Sequence, residues 1–196
     1  MESGLKGKVI LITGAGSGIG RATALAFANE GADLALLDLD RSSLESLESE
    51  VKHRGVKVGL ASADLSSEPG VNSGIDKVLK PFGEKVDVLV NNVGAGSVRR
   101  FDEISDEEWK KTFDLNFLSA VRASRKILPI MRKNRSGVIV NNASDLPSAG
   151  SKSNRLCLFE GGIVGTDERF GSSRGTLNKG QCRGWPAIHW AASRVP

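Results

Sequence analysis

The segment Thr13-Gly14-Ala15-Gly16-Ser17-Gly18-Ile19-Gly20 is the part of this sequence best suited to hold an anion. Glycines permit a tight turn and let backbone come close to a bound group. The N–H groups at the start of a following helix then face that group with the positive end of the helix dipole. A strand-like run precedes the segment and a helical pattern follows it, the setting in which such a turn cradles a pyrophosphate. Its spacing is T-G-x-x-x-G-x-G rather than G-x-G-x-x-G. Gly14, Ser17, Gly18, Ile19 and Gly20 are the candidate contacts. Asp38 lies 18 residues beyond Gly20, at the close of a second strand-like run. A carboxylate there can accept hydrogen bonds from both hydroxyls of a ribose and would repel a 2′-phosphate. Together these features point to a dinucleotide, NAD in preference to NADP, with Arg41 near enough to leave room for the latter.

These residues need elements to place them. Lys8–Thr13 (KVILIT) reads as a buried strand, rich in β-branched residues. Further strands are expected at Asp33–Leu37, Val56–Ala61, Val86–Val90 and Gly137–Asn141. Between them lie helical patterns at Arg21–Asn29, Ser42–His53 (Leu44, Leu47 and Val51 on one face) and Val71–Leu79. Ser105 and Glu108 form a capping-box pair, so a helix should begin there and run to about Arg132. Trp109, Phe113 and Phe117 recur every four residues and predict a buried stripe. Strands alternating with helices predict an α/β fold: a doubly wound, parallel, Rossmann-type sheet.

With these elements in order, the first 147 residues resemble the nucleotide-binding part of the short-chain dehydrogenase/reductase family. The resemblance rests on the Thr-Gly turn, Asp38, Asp64-Leu65, Asn91-Asn92-Val93-Gly94, Asn116 and Ser144. It implies an oxidoreductase that passes hydride between NAD(P) and a small alcohol or carbonyl substrate. It implies that Asp64 and Leu65 frame the adenine, and that Asn92 and Gly94 approach the cofactor ribose. Ser17 occupies a position where NADP-using members often carry a basic residue, which again favours NAD. Asn116 is implied to hold a water in a proton relay, and Ser144 to bond the substrate oxygen. Members of the family are usually homo-oligomers.

The resemblance then breaks. The family carries Tyr-x-x-x-Lys about a dozen residues after that serine, the lysine lowering the tyrosine's pKa for proton transfer. Counting on from Ser144 reaches Cys157, with Gly161 four residues later, and the whole sequence contains no tyrosine. Residues 148–196 show no sustained periodicity and are expected to be irregular. Regrouping plausible codons of Leu156–Glu168 (LCLFEGGIVGTDE) by one base can yield Tyr-x-x-Ser-Lys opening an apolar helix. The tail is therefore expected to be an out-of-frame reading. The sheet should then stop at its fifth strand with a bare edge. The alternative function is a non-catalytic nucleotide-binding remnant. A methyltransferase with a similar sheet is disfavoured by the Thr-Gly turn and the Asn-Asn-Val-Gly run.

Bulk properties exclude other classes. The formal charge is +4, but seven of the 27 Lys/Arg and three of the 23 acids fall from Gly150 onward, leaving 20 of each before it. No basic face is therefore expected on the folded part, and no nucleic-acid partner. No apolar run approaches the roughly 20 residues of a membrane span. The N-terminus lacks a signal-peptide pattern, so a cytoplasmic location and no membrane partner are expected. Cys157 and Cys182, the two cysteines, form no metal motif.

Overall fold

The computed structural model describes residues 3–83, 85–96, 98–100, 103–144, 155–157 and 188–195. Its centre is a sheet whose first five members in space are parallel: β3 (Val58–Ser62), β2 (Asp33–Asp38), β1 (Val9–Thr13), β4 (Val88–Asn91) and β6 (Gly137–Ser144). A short separate ladder pairs β5 (Val98–Arg100) with β7 (Arg155–Cys157). The chain moves outward from β1 to β2 and β3, then returns to β1's other side with β4. That reversal opens a crevice beyond the carboxyl ends of β1 and β4, where ligands bind in doubly wound sheets.

Alternation along the buried strands divides the core in two. Ile10, Ile12, Leu34, Leu36 and Val90 pack with Ala24, Ala28, Leu44, Leu47 and Val51 of helices α1 (Gly18–Asn29) and α2 (Arg41–Val51). Leu11, Ala35, Leu37 and Leu89 face the other way. They meet Val71, Ile75 and Val78 of α3 (Glu68–Leu79) and Ala123, Ile127 and Met131 of α5 (Ser119–Lys133). Successive strand residues point to opposite faces, so a run such as Val9–Thr13 must be apolar throughout when helices cover both sides. All five of its residues are buried. Among the described residues, no helix is long and apolar enough to cross a membrane.

Three expectations need correction. The first concerns the stripe on α4 (Asp106–Phe113). Ser105 does cap it reciprocally with Glu108, yet Trp109 and Phe113 are 36% and 57% exposed. Phe113 instead stacks against Phe117, their ring centroids 4.9 Å apart. Periodicity reports a shared face, and here the helix lies at the rim, where that face meets little of the core. Second, the long helical pattern is not uniform, because Asp114–Leu118 forms a π-helical turn between α4 and α5. Third, β6 does not leave a bare edge. Ile188–Val195 (β8) pairs with it antiparallel, from Gly137↔Val195 to Ser144↔Ile188. An edge strand offers a row of unpaired N–H and C=O groups, and IHWAASRV, with β-branched residues at both ends, can satisfy them.

At the opposite end of the sheet, the Asp87 carboxylate ties β1 to β4. It accepts the Val9 N–H at 2.9 Å and the Lys8 ammonium at 3.0 Å, with Lys85 at 3.4 Å. Burial opposes its ionisation, but the Val9 N–H and the two lysines outweigh this and hold its pKa below 3.8. The native state therefore favours the carboxylate. That stability is present above pH 3.8 and is lost as pH falls below it through the native value. Asp87→Asn should lower the thermal midpoint at neutral pH and flatten its decline below pH 3.8. Midpoints measured by circular dichroism across that range check this, and a parallel decline in both proteins would refute the assignment.

Candidate functional site

The glycine turn is held from beneath by Thr13. Its hydroxyl donates to the Val90 carbonyl at 3.3 Å and accepts the N–H groups of Asn92 at 2.9 Å and Val93 at 3.2 Å. The Asn92 amide then donates to the carbonyls of Thr13 at 3.2 Å and Gly14 at 3.0 Å. These bonds lock the turn after β1 onto the turn after β4. Helix α1 enters very close to this junction. A Cβ on Gly20 would stand 1.9 Å from the Gly14 carbonyl oxygen, a distance no side chain can accept.

The start of α1 is also chemically distinctive. Asp40, Ser67 and Ser105 each cap their own helix through a side-chain bond, whereas Ser17, at the N-cap of α1, makes none. The first turn of α1 carries no acidic residue either. Its leading N–H groups are thus left without the usual side-chain acceptor.

On the flank, Asp38 closes β2. One of its oxygens accepts the Gly16 N–H at 2.8 Å, and the other accepts the Asp40 N–H at 3.0 Å. Each oxygen keeps a free lone pair. Asp64 follows β3 and accepts both the hydroxyl of Ser66 at 2.7 Å and its backbone N–H at 2.9 Å. Those bonds, the hydroxyl's first, hold its pKa below 3.8, so it is a carboxylate at neutral pH.

A cleft of about 720 Å³ connects these features. Gly14, Ser17, Gly18, Ile19, Asp38, Asp64, Leu65, Asn92 and Gly94 all line it, so the structure brings together nine of the residues singled out by sequence. Gly20 lies below the turn and shapes it. Asn116 sits in the π-helical turn, buried, and its amide clasps Ala95: it accepts that residue's N–H at 2.9 Å and donates to its carbonyl at 2.8 Å. Arg122 braces the same turn through Asp114 at 2.7 Å and reaches the Ser66 carbonyl at 2.8 Å. Ser144 is the last residue of β6. Positions 147–154 and 161, where the family sequence would continue, lie outside the described residues, as does Cys182.

The cleft also contains residues that were not singled out as contacts: Leu39, Ala63, Ser66, Ala95, Lys111, Leu115 and Asn142, together with Val93 of the Asn-Asn-Val-Gly run. Lys111 and Leu115 are four apart and so share a helix face with the approach to Asn116, a signal that was available. Asn142 carries no local signal, because only strand pairing brings β6 beside β4.

Comparisons with known proteins agree with this geometry. Residues 8–154 match the family model described as short chain dehydrogenase. The uncharacterized oxidoreductase YvrD of Bacillus subtilis is 41% identical over 145 residues, covering 74% of this chain and 54% of that protein. The 3-oxoacyl-[acyl-carrier-protein] reductase FabG of Thermotoga maritima is 33% identical over 162 residues, covering 82% and 65%. Among solved structures, L-sorbose reductase from Gluconobacter frateurii, complexed with NADPH and L-sorbose, superposes with a TM-score of 0.67. It is 38% identical, over 71% of this chain and 53% of that one. An NAD+-bound xylitol dehydrogenase gives 0.64 at 34% identity, over 69% and 52%. The chain thus spans between half and two thirds of the length of these relatives.

The junction at Gly20 yields a direct test. Gly18 has φ +50° but open space around its Cβ position, whereas Gly20 faces the Gly14 carbonyl. Gly18→Ala should cost about 1 kcal/mol from backbone strain. Gly20→Ala should cost more, about 1–3 kcal/mol or above, because backbone must move. Urea unfolding of the two variants measures this, and equal costs would contradict the close approach.

Proposed function

Because this chain belongs to the short-chain dehydrogenase family, we propose that its cleft binds a nicotinamide dinucleotide, with NAD preferred over NADP. The observation that carries this reading is the meeting of an α1 without a side-chain cap and Asp38 on one glycine turn, where Asp38 accepts the Gly16 N–H. The free N–H groups suit a pyrophosphate, and the carboxylate's open lone pairs suit a ribose diol. The closeness of Gly14, Gly16 and Gly20 to their neighbours fits such a ligand, since side chains there would fill or displace the cradle.

In this reading Gly14, Ser17, Gly18, Ile19 and Gly20 shape the pyrophosphate site. Asp38 takes the ribose, Asp64 and Leu65 the adenine, and Asn92 and Gly94 the second ribose. When bound, the nicotinamide would supply the hydride donor or acceptor for a small alcohol or carbonyl. Asn116 and Ser144 are the catalytic positions this chain retains: Asn116 would help order a relay water and Ser144 would bond the substrate oxygen. NADPH beside L-sorbose in one structural relative and NAD+ in another support a nicotinamide ligand. Asp38 is the reason to favour NAD, since a 2′-phosphate would bring negative charge against it.

Proton transfer is the step this sequence does not equip. With no tyrosine present, the family's general acid has no residue to carry it. Loss of such a group removes about 10²- to 10⁴-fold in rate. We propose that residues from about 148 onward are an out-of-frame reading. The coding DNA around codon 148 tests it, and the idea fails unless the shifted frame encodes Tyr-x-x-x-Lys.

Fluorescence titration of the purified chain with NADH and NADPH tests the cofactor proposal. NADH should bind more tightly, without measurable alcohol oxidation. Asp38→Asn keeps an acceptor for Gly16 but removes the charge, so it should shrink the NADH preference by about tenfold or more. An unchanged preference would reject Asp38 as the ribose ligand, and absence of NADH binding would reject the cofactor.

A further inference from the structure

Asn92 presents a problem that Asn142 solves. The Asn92 side chain spends its donor end on two carbonyls, Thr13 at 3.2 Å and Gly14 at 3.0 Å. Its acceptor oxygen then points away from the turn and needs a donor of its own. That donor is the Asn142 amide, 2.9 Å away. The resulting relay starts in β6, passes the end of β4 and finishes on the backbone of β1. It crosses the sheet at the point where the strand order reverses. Asn142 is half-buried and lines the cleft.

The relay ends on a sensitive atom. The Gly14 carbonyl oxygen is the one that lies against α1 at Gly20, where a Cβ would meet it at 1.9 Å. Its position therefore sets how the first turn of α1 sits relative to the glycine turn. Without the Asn142 donor, the Asn92 oxygen would keep no protein hydrogen bond among the described residues. The Asn92 amide would then be free to tilt or rotate, and the carbonyls it holds would follow.

We propose that Asn142 is a positioning residue for the dinucleotide: through Asn92 it fixes the Gly14 carbonyl, and so the N–H groups that α1 offers to the pyrophosphate. This rests on the cofactor reading above. It predicts a selective defect. Ligand parts held by the turn should suffer, while the adenosine held by Asp38 and Asp64 should not.

The test compares full-length wild type, Asn142→Leu and Asn142→Asp by calorimetric titration with NADH and with adenosine. Leucine is similar in size and donates nothing. Aspartate keeps the shape and, at neutral pH, only accepts. Loss of one neutral hydrogen bond predicts NADH binding weaker by about three- to tenfold in either variant. Adenosine affinity should stay within about twofold, because Asp38 and Asp64 are carried by the ends of β2 and β3 and neither bonds Asn92 or Asn142. Unchanged NADH affinity overturns the proposal. So does equal weakening of both ligands, which marks a general structural role, and so does failure of both variants to fold. If wild type itself does not bind NADH, the cofactor reading falls, and that result is distinct from any variant effect.

Discussion

The Gly14 carbonyl oxygen occupies the space that a side chain on residue 20 would need, and much of the molecule is arranged around that contact. It lets α1 begin directly against the turn after β1, so the leading N–H groups reach the cleft. It requires that the turn not drift, which Thr13 and Asn92 secure with hydrogen bonds reaching from the end of β4. It also requires β1 and β4 to be neighbours, which the reversal of strand order supplies. Local chain flexibility here serves close packing. The glycines are less a loose loop than a set of positions where backbone stands in for side chain.

The polar residues beside this contact form a second layer of order. Asn91 and Asn141 are register partners across β4 and β6, bonded at 2.8 Å, and Asn142 bonds Asn92 one step further along. Two consecutive asparagine pairs specify the alignment of those strands. A slip by one residue would turn every strand side chain to the opposite face and break both bonds at once. The apolar residues of the sheet make the core favourable. The amides at its carboxyl end make one register favourable, and that register delivers Gly94, Ala95 and Asn142 to the cleft.

This division explains what could be read from the sequence. The glycine turn, Asp38 and the Ser105 cap are local: each declares itself within a few residues of a strand or helix signal, and each stands where expected. The five parallel strands were legible for the same reason, since a strand covered on both faces is apolar throughout. Asn142 was not legible, because its role depends on which elements become neighbours. Trp109 and Phe113 misled for a related reason. Their spacing reports a common helix face, and only the fold decides whether that face is covered. The pairing of Ile188–Val195 with β6 depends on an edge that no local pattern announces.

These observations separate two functions that a dehydrogenase must join. The residues proposed to hold the dinucleotide run from Gly14 to Asn142, and their bonds to one another close within that span. The tail meets the sheet by backbone pairing along β6, on the far side of β4 from the glycine turn. The proposed cofactor site is thus built from strand ends and turns that lie before residue 145. Proton transfer asks for a different kind of residue, one whose pKa is brought near neutrality by a fixed cation. The amino-acid sequence contains no tyrosine to take that part. On the proposed reading, binding and proton transfer draw on different stretches of the chain, so the first does not depend on the residue that would serve the second.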